Sequence, residues 1–132
     1  MKECIIAQNA PAAIGPYSHA VLMEGIVFAS GQLGVDPATG KLADGVVAQA
    51  TQALTNLKNV LAASGASLQD VVKTTVFVKD LNDFKTVNDI YATFFTENYP
   101  ARSCVQVAAL PMGGLVEVEA IAFKSADEEA AW

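Results

Sequence analysis

The amino-acid sequence is poor in cysteine and histidine. Its 132 residues include two cysteines, Cys4 and Cys104, and one histidine, His19. Two cysteines cannot build the disulfide framework that stabilises small secreted domains. A structural zinc site usually takes four cysteine or histidine ligands, so these three residues are too few for one. The composition therefore predicts a reduced, cytoplasmic protein with no metal.

Long hydrophobic runs are also missing. Every apolar stretch is interrupted by Gly, Pro, Gln or a charged residue well before the ~18 consecutive apolar residues that a membrane-spanning helix needs. The first five residues include Glu3, and no long apolar region follows them, which is unlike a secretory signal. The sequence thus predicts neither a membrane span nor export.

Charged residues are scarce, at 17% of the chain against a usual share of about 25%. The formal net charge is −6, which disfavours binding to nucleic acid. Seven of the eight basic residues are lysines, and the exception is Arg102. Three acidic residues, Asp127, Glu128 and Glu129, fall in the segment 125–132, which we expect to be a solvated C-terminal tail.

Apolar residues, by contrast, are abundant. They make up 52% of the chain, and the mean hydropathy is +0.33. Such a composition excludes an intrinsically disordered chain. The length suits one domain with one core, which we expect over residues 1–124. A single small domain cannot usually bury so large a share of apolar residues, so the composition also predicts an oligomer.

Two segments have the apolar spacing of amphipathic helices. The first covers about Gly45–Ser64, with Asp44 as its N-cap and Gly65 in the left-handed position after its end. The second begins near Asn82 and ends before Pro100. Their predicted apolar faces are, in turn, Val46, Ala50, Ala53, Leu54, Leu57 and Leu61, and Phe84, Val87, Ile90, Tyr91, Phe94 and Phe95.

Several runs have the composition of β-strands. Gly25–Ser30 and Val71–Val78 are dense in β-branched residues. In the last third, Ser103–Ala108 and Leu115–Phe123 flank a turn at Pro111–Gly114, for which we expect antiparallel pairing. With about six strands and two helices, the pattern predicts an α/β fold in which a mixed sheet carries both helices on one face.

The last strand carries apolar residues on both of its faces. Glu117 and Glu119 share one face with Ile121 and Phe123, whereas the opposite face is entirely apolar. That opposite face consists of Val116, Val118, Ala120 and Ala122. We expect one face of the sheet to carry the helices and the other to pack against a second copy of the protein.

Two charged residues are the first candidates for chemistry. Arg102, at the start of a strand, offers a rigid fork that can hold a carboxylate through two hydrogen bonds, although a surface ion pair is the alternative. Glu117 lies between valines, so partial desolvation could raise its pKa and make it a proton acceptor near neutrality. Its alternative is a solvated carboxylate at a sheet edge, and Glu119 could equally be a partner in the same site.

Other candidates are weaker when taken singly. Cys104 shares a strand face with Arg102, but no histidine is near it in sequence, so we expect a small buried side chain whose backbone groups matter more than its sulfur. His19 is expected either to be structural or to support the residues that contact the ligand. Glycine in Gly15–Tyr17 and in Ser30–Gln32 allows a turn and a close backbone approach to a ligand.

These stretches together resemble one family, the Rid (YjgF) family of reactive-intermediate deaminases. The resemblance covers nearly the whole chain as far as about Lys124, and the Arg-Ser-Cys stretch followed by the Glu-Val-Glu strand is its specific part. The stretches are Asn9–Tyr17, Ser30–Gln32, Thr74–Phe84, Pro100–Pro111 and Val116–Ala122.

The resemblance implies a fold, an assembly and a reaction. The fold would be chorismate-mutase-like, in a homotrimer with a central barrel and a site in each cleft between subunits. The reaction would be hydrolysis of enamine and imine intermediates, such as 2-aminoacrylate and 2-aminocrotonate, to 2-keto acids and ammonia. Pyridoxal-phosphate-dependent serine/threonine dehydratases would release these intermediates, and the Rid protein would need no cofactor.

The resemblance also implies roles for individual residues. Arg102 would clamp the substrate carboxylate, and Glu117 would orient or deprotonate the attacking water. The backbone of Cys104 and of Ser30–Gly31 would contact the substrate near its reacting end, Tyr17 would form a wall of the cleft, and Asn88 would help to shape the pocket.

Other functions are alternatives to the deaminase. A non-catalytic sensor of small keto or amino acids would keep Arg102 but could dispense with Glu117. Binding or cleavage of RNA is disfavoured by the net charge of −6 and by the single arginine, and a chaperone-like role is neither favoured nor excluded. The loop at 111–114 and the acidic tail depart from the family pattern and leave the preferred imino acid open.

Overall fold

The computed structural model describes residues 1–124, so the predicted tail at 125–132 lies outside the described residues. This part of the chain contains six strands, two α-helices and three short 3₁₀ turns. The strands are β1 (Glu3–Ile5), β2 (Ala20–Met23), β3 (Ile26–Leu33), β4 (Val71–Val78), β5 (Ala101–Gln106) and β6 (Val116–Phe123). The helices are α1 (Gly45–Ala63) and α2 (Phe84–Phe94), and the 3₁₀ turns are Leu68–Asp70, Leu81–Asp83 and Pro111–Gly113.

The six strands form one mixed sheet in the order β1-β2-β3-β6-β4-β5. Every neighbouring pair is antiparallel except β4 and β5, which are parallel. The predicted antiparallel pairing of 103–108 with 115–123 is therefore wrong. The strand–helix–strand connection through α2 brings β5 back parallel to β4. Strand β6 instead enters the middle of the sheet, between β3 and β4.

Both helices cover the same face of the sheet, as predicted. Leu57, Val60 and Leu61 of α1 are completely buried, and Val87 and Tyr91 of α2 are nearly so. The side chains of the two helices meet Val76, Val116 and Val118 of the central strands. The predicted division of β6 is also confirmed, since Val116, Val118, Ala120 and Ala122 are buried beneath the helices.

The ends of the two helices agree only in part with the positions predicted from the sequence. Asp44 occupies the N-cap position of α1 but makes no side-chain capping bond, whereas Gly65 has the expected positive φ of +82°. Helix α2 begins at Phe84 rather than near Asn82. The cause is Asp80, whose carboxylate accepts the backbone N–H of Asn82 and starts a separate 3₁₀ turn first.

Two buried polar side chains of α1 form hydrogen bonds with the backbone of neighbouring segments. Asn56 donates hydrogen bonds to the carbonyl oxygens of Leu33 (3.0 Å) and Val35 (2.9 Å). Gln49 accepts the backbone N–H of Leu115 (2.8 Å) and donates to the carbonyl of Ala43 (3.1 Å). The bonds of Asn56 hold Leu33 and Val35, both of which line a cavity beside the sheet.

Neither helix covers the opposite face of the sheet, and beside Glu119 that face carries several exposed apolar side chains. Met23, Phe28, Val105, Ile121 and Phe123 are each between about a third and three-fifths exposed there. A surface of this kind is typical of protein–protein contacts.

Among residues 1–124, neither helix is long and apolar enough to cross a membrane.

Candidate active site

All of the predicted site residues except Ser30 fall into two groups within one chain, and each group also contains residues that were not predicted to belong to the site. The first, which we call the arginine cluster, consists of Arg102, Cys104, Asn88, Phe84 and Tyr91. The second, the glutamate cavity, is a cavity of about 280 Å³ whose lining includes Glu117, Tyr17, Gly31, His19 and Gln32.

In the arginine cluster, helix α2 holds the guanidinium of Arg102 in place. Its Nη1 donates a 2.7 Å hydrogen bond to Oδ1 of Asn88. Its central carbon lies 4.9 Å from the ring centre of Tyr91 and 5.6 Å from that of Phe84. Both distances are within the range of cation–π attraction. Within residues 1–124 this guanidinium forms no salt bridge, so neutral groups orient it and no carboxylate of the same chain neutralises its charge. It can therefore bind an anionic ligand.

The side chain of Tyr91 is in turn held in place by two contacts. Its hydroxyl shares a 2.8 Å hydrogen bond with Oγ1 of Thr74, which is fully buried. Its ring stacks on Phe95 at a centroid distance of 4.6 Å. Burial raises the pKa of Tyr91, an effect that the Thr74 hydrogen bond and Arg102 partly offset. The ring under Arg102 is thus a rigid, neutral support at physiological pH.

Cys104 is half-buried rather than buried as expected, because β5 is the edge strand. Burial raises the pKa of its thiol, and the charge of Arg102 offsets this only in part. The sulfur is therefore mainly a protonated thiol at neutral pH. A thiol is a poor nucleophile compared with a thiolate, which is consistent with a role for the backbone of Cys104 rather than its sulfur.

In the glutamate cavity, the carboxylate of Glu117 packs directly against Gly31. A Cβ atom at position 31 would lie 2.7 Å from Oε2 of Glu117 and 2.8 Å from its Cδ, so a larger residue would collide with the carboxylate. The pKa of Glu117 is raised, first by burial and then by the negative charge of Glu119. The predicted direction of this shift is thereby supported, and Glu119 itself is exposed.

Of the remaining predicted residues, Tyr17 lines the same cavity, and Ser30 immediately precedes Gly31, which also lines it. Tyr17 is 44% exposed, and its hydroxyl accepts the backbone N–H of Ile14 at 3.3 Å. Ser30 is half-buried beside Gly31, and its hydroxyl donates to the carbonyl of Ser18 at 2.7 Å. His19 is 2% exposed and lines the cavity. The apolar part of the lining includes Ile14, Leu33, Val35, Pro37 and Met112.

The two groups lie on opposite faces of the sheet. Arg102 is paired with Thr74 on β4, and Thr74 points to the face covered by the helices. Glu117 is paired with Phe77. Because side chains alternate along a strand, positions 74 and 77 of β4 face opposite ways, and so do their neighbours Arg102 and Glu117. A single chain therefore does not bring the predicted clamp and the predicted base together.

Comparison with known proteins identifies the family. The family model described as Endoribonuclease L-PSP matches residues 7–124. A bovine 2-iminobutanoate/2-iminopropanoate deaminase is 54% identical over 123 residues, which cover 92% of this chain and 90% of that protein. The chain belongs to the Rid (YjgF) family.

Solved structures agree with this assignment of the Rid fold. The YjgF gene product of Escherichia coli has a TM-score of 0.90 and 50% identity, covering 93% of this chain and 99% of that one. Escherichia coli TdcF with bound serine has the same TM-score at 48% identity, with the same coverage. The family resemblance and the YjgF-like fold with a six-stranded mixed sheet are confirmed.

Some features of the site in this Rid protein were not predicted from its sequence. The support of Arg102 by the Tyr91 ring, and of Tyr91 by Thr74, joins residues from α2, β4 and β5. The only feature of the sequence that bears on this support is the regular apolar spacing on α2, and that spacing indicated core positions rather than part of a binding site. His19 was expected to be structural or to support the residues that contact the ligand, but nothing in the sequence indicated that its ring bonds to the backbone of Ala7 and Pro11.

Proposed function

We propose that this protein is a 2-iminobutanoate/2-iminopropanoate deaminase, which hydrolyses small 2-imino acids to 2-keto acids and ammonia. The observation that carries the proposal is the 54% identity to a deaminase of that name along 92% of the chain. The chain also retains both charged groups that the chemistry needs, a guanidinium and a half-buried carboxylate.

The assembly that we propose is a homotrimer whose sheets form a central barrel, with each site between two subunits. Its support is that Arg102 and Glu117 face opposite ways, so a small substrate could touch both only if they came from different protomers. The exposed apolar face of the sheet supplies a surface for such contacts. Light scattering should give about three times the 13.8 kDa of one chain, and a stable monomer would contradict the proposal.

The first step of the proposed mechanism is substrate binding. The Arg102 guanidinium of one subunit would take the substrate carboxylate through two parallel hydrogen bonds, since its orientation is already fixed by Asn88 and Tyr91. The imine carbon would then face the glutamate cavity of the neighbouring subunit. Tyr17 and the backbone of Ser30–Gly31 would border the reacting end.

Hydrolysis would follow at the imine carbon. Glu117 would accept a proton from a water molecule as the oxygen attacks, so that a carbon–oxygen bond forms and the carbon–nitrogen double bond becomes single. The same carboxyl would return the proton to nitrogen, which gives a carbinolamine. A second transfer through this carboxyl would carry the hydroxyl proton to the amino group. The carbon–nitrogen bond would then break as the carbon–oxygen double bond forms, so that ammonia leaves and the 2-keto acid remains. A raised pKa suits this role, because it makes the carboxylate of Glu117 a better proton acceptor than an ordinary carboxylate.

The implied context is the cytoplasm, with pyridoxal-phosphate-dependent dehydratases as the source of the substrate. These enzymes release enamines that tautomerise to imines, and the imine is the electrophile that water attacks. Water, an anchor for the carboxylate and a proton carrier are sufficient for the hydrolysis, so the proposal includes no cofactor. It includes neither nucleic acid nor a membrane as partner.

The test generates 2-aminocrotonate with a threonine dehydratase while semicarbazide traps the imine. The wild-type protein should form 2-ketobutyrate faster than the trap removes its precursor. Arg102→Lys should lose most of this activity because lysine lacks the fork, and Glu117→Gln should lose it because an amide cannot take up the proton. Matched controls are Lys85→Met, on an exposed part of α2, and Glu3→Gln, on the exposed part of β1.

The main alternative is a non-catalytic sensor of small keto or amino acids that uses the same cleft. A wild-type protein that leaves the trapping reaction unchanged, yet binds 2-ketobutyrate in a titration, would replace the deaminase with the sensor. Equal activity of Arg102→Lys and the wild type would contradict the proposed carboxylate clamp.

A further inference from the structure

The ring of His19 is bonded at both nitrogens to the backbone of one loop. Nδ1 accepts the backbone N–H of Ala7 at 2.9 Å, and Nε2 lies 2.8 Å from the carbonyl oxygen of Pro11. A backbone N–H can only donate and a carbonyl oxygen can only accept. These partners therefore fix the ring as the neutral tautomer with its proton on Nε2. A protonated ring would place a second proton against the Ala7 N–H and lose that bond.

The loop in question, which we call the cavity loop, comprises residues 6–18. It supplies Pro11, Ala12, Ile14 and Tyr17 to the lining of the glutamate cavity. Its internal backbone hydrogen bonds among the described residues are a long one, from Ala10 to Ala7 at 3.5 Å, and a short one, from Tyr17 to Gly15 at 2.9 Å. The loop therefore depends on side chains for its shape, and the His19 ring provides two of the bonds.

The backbone of His19 connects the cavity loop to the opposite wall of the cavity. Its carbonyl accepts the N–H of Ser30 at 2.9 Å, and its own N–H donates to the carbonyl of Ile5 at 3.1 Å. Ser30 precedes Gly31, against which the carboxylate of Glu117 packs. One buried residue thus joins the wall that carries Tyr17 to the wall that carries the Glu117 carboxylate.

We infer that His19 is a positioning residue that holds the cavity loop against the Gly31–Glu117 wall and thereby sets the affinity of the site for its 2-keto or 2-imino acid. The inference rests on the proposed function for the identity of this ligand. His19 does not take part in the chemistry, because both of its nitrogens are engaged by the loop. Its loss should weaken binding much more than it slows the chemical step.

Three substitutions separate the two ring bonds. His19→Asn keeps an acceptor near the position of Nδ1, His19→Gln keeps a donor near the position of Nε2, and His19→Ala removes both. The matched control is Asn9→Ala, on an exposed side chain of the same loop. A lost hydrogen bond of this kind corresponds to about a fivefold change in an equilibrium constant.

The experiment measures two quantities in each variant. The first is the dissociation constant for 2-ketobutyrate by calorimetry, and the second is hydrogen–deuterium exchange in peptides from residues 6–18 and from α2. We expect His19→Ala to weaken binding about tenfold and to speed exchange in the cavity loop, with α2 unchanged. His19→Asn and His19→Gln should fall between Ala and wild type. In the dehydratase assay, KM should rise while kcat stays within about twofold.

Two results would overturn the inference. One is unchanged exchange in the cavity loop of the substituted proteins. The other is faster exchange with unchanged affinity, which would make His19 merely structural. If His19→Ala does not fold, the same two measurements on His19→Asn and His19→Gln test the inference. A wild-type protein that binds 2-ketobutyrate without deaminating 2-aminocrotonate would overturn the proposed function, while the affinities of the variants would still decide the role of His19.

Discussion

Arg102 and Glu117 lie on opposite faces of the same sheet, although they are only fifteen positions apart in the sequence. Arg102 is oriented from the helix side by Asn88 and Tyr91. Glu117 is oriented from the open side by its packing against Gly31. Each charged group has its own rigid support, so the two halves of the site can be altered separately.

The first prediction concerns this division between subunits. Arg102→Lys and Glu117→Gln chains, each inactive alone, should regain activity when they are co-expressed and assemble at random. A site between two chains receives its arginine from one and its glutamate from the other, so about a quarter of the mixed sites would carry both native residues. The dehydratase assay measures the recovery. Mixed assemblies with no more activity than the separate variants would place both groups of a site in one chain.

The second prediction concerns the pH dependence of the reaction. Burial and the negative charge of Glu119 raise the pKa of Glu117. As the pH falls, Glu117 therefore becomes protonated, and stops acting as a base, at a higher pH than an ordinary carboxyl group does. The rate should therefore decline on the acid side of neutrality. Glu119→Gln removes the neighbouring negative charge, which should lower the pKa of Glu117 and move this decline to lower pH. A pH–rate profile of the two proteins checks this, and identical profiles would contradict it.

The third prediction uses two glycines with different neighbours. Gly31→Ala places its Cβ against the flexible end of Glu117, so the carboxylate must move while the fold need not. We expect at least a tenfold loss of activity with little change in thermal stability. Gly34→Ala places its Cβ 2.5 Å from Cα of Gln49, where the backbone cannot yield easily. It should lower the melting temperature, and equal melting temperatures of the two variants would contradict this reasoning.

The fourth prediction concerns the orientation of Arg102. Asn88→Ala removes the 2.7 Å hydrogen bond to the guanidinium and should raise KM about tenfold, since the carboxylate clamp loses its fixed direction. Asn88→Asp should be worse, because a carboxylate at that position would pair with Arg102 and compete with the substrate. Steady-state kinetics distinguishes the two variants. A higher activity of Asn88→Asp than of Asn88→Ala would show that Arg102 does not bind the substrate carboxylate.

Local sequence patterns predicted much of the fold. The apolar spacing of helix one anticipated its buried face, and five of the six predicted residues are buried, with Val46 partly so. The alternation in β6 predicted which side chains face the helices. Both patterns reflect the repeat of a single element, which depends on residues close together in the chain. The start of α2 was displaced because the sequence did not indicate which of several polar residues would cap it.

The sequence by itself determined the single α/β domain, the two helices and, through resemblance, the family and the candidate residues. Only the tertiary structure decided that β5 runs parallel to β4, that Arg102 and Glu117 face opposite ways, and that His19 holds the cavity loop. The physical reason is that strand order and buried hydrogen bonds join residues far apart in the chain. Local periodicity carries no information about such pairings, because they depend on which elements pack side by side.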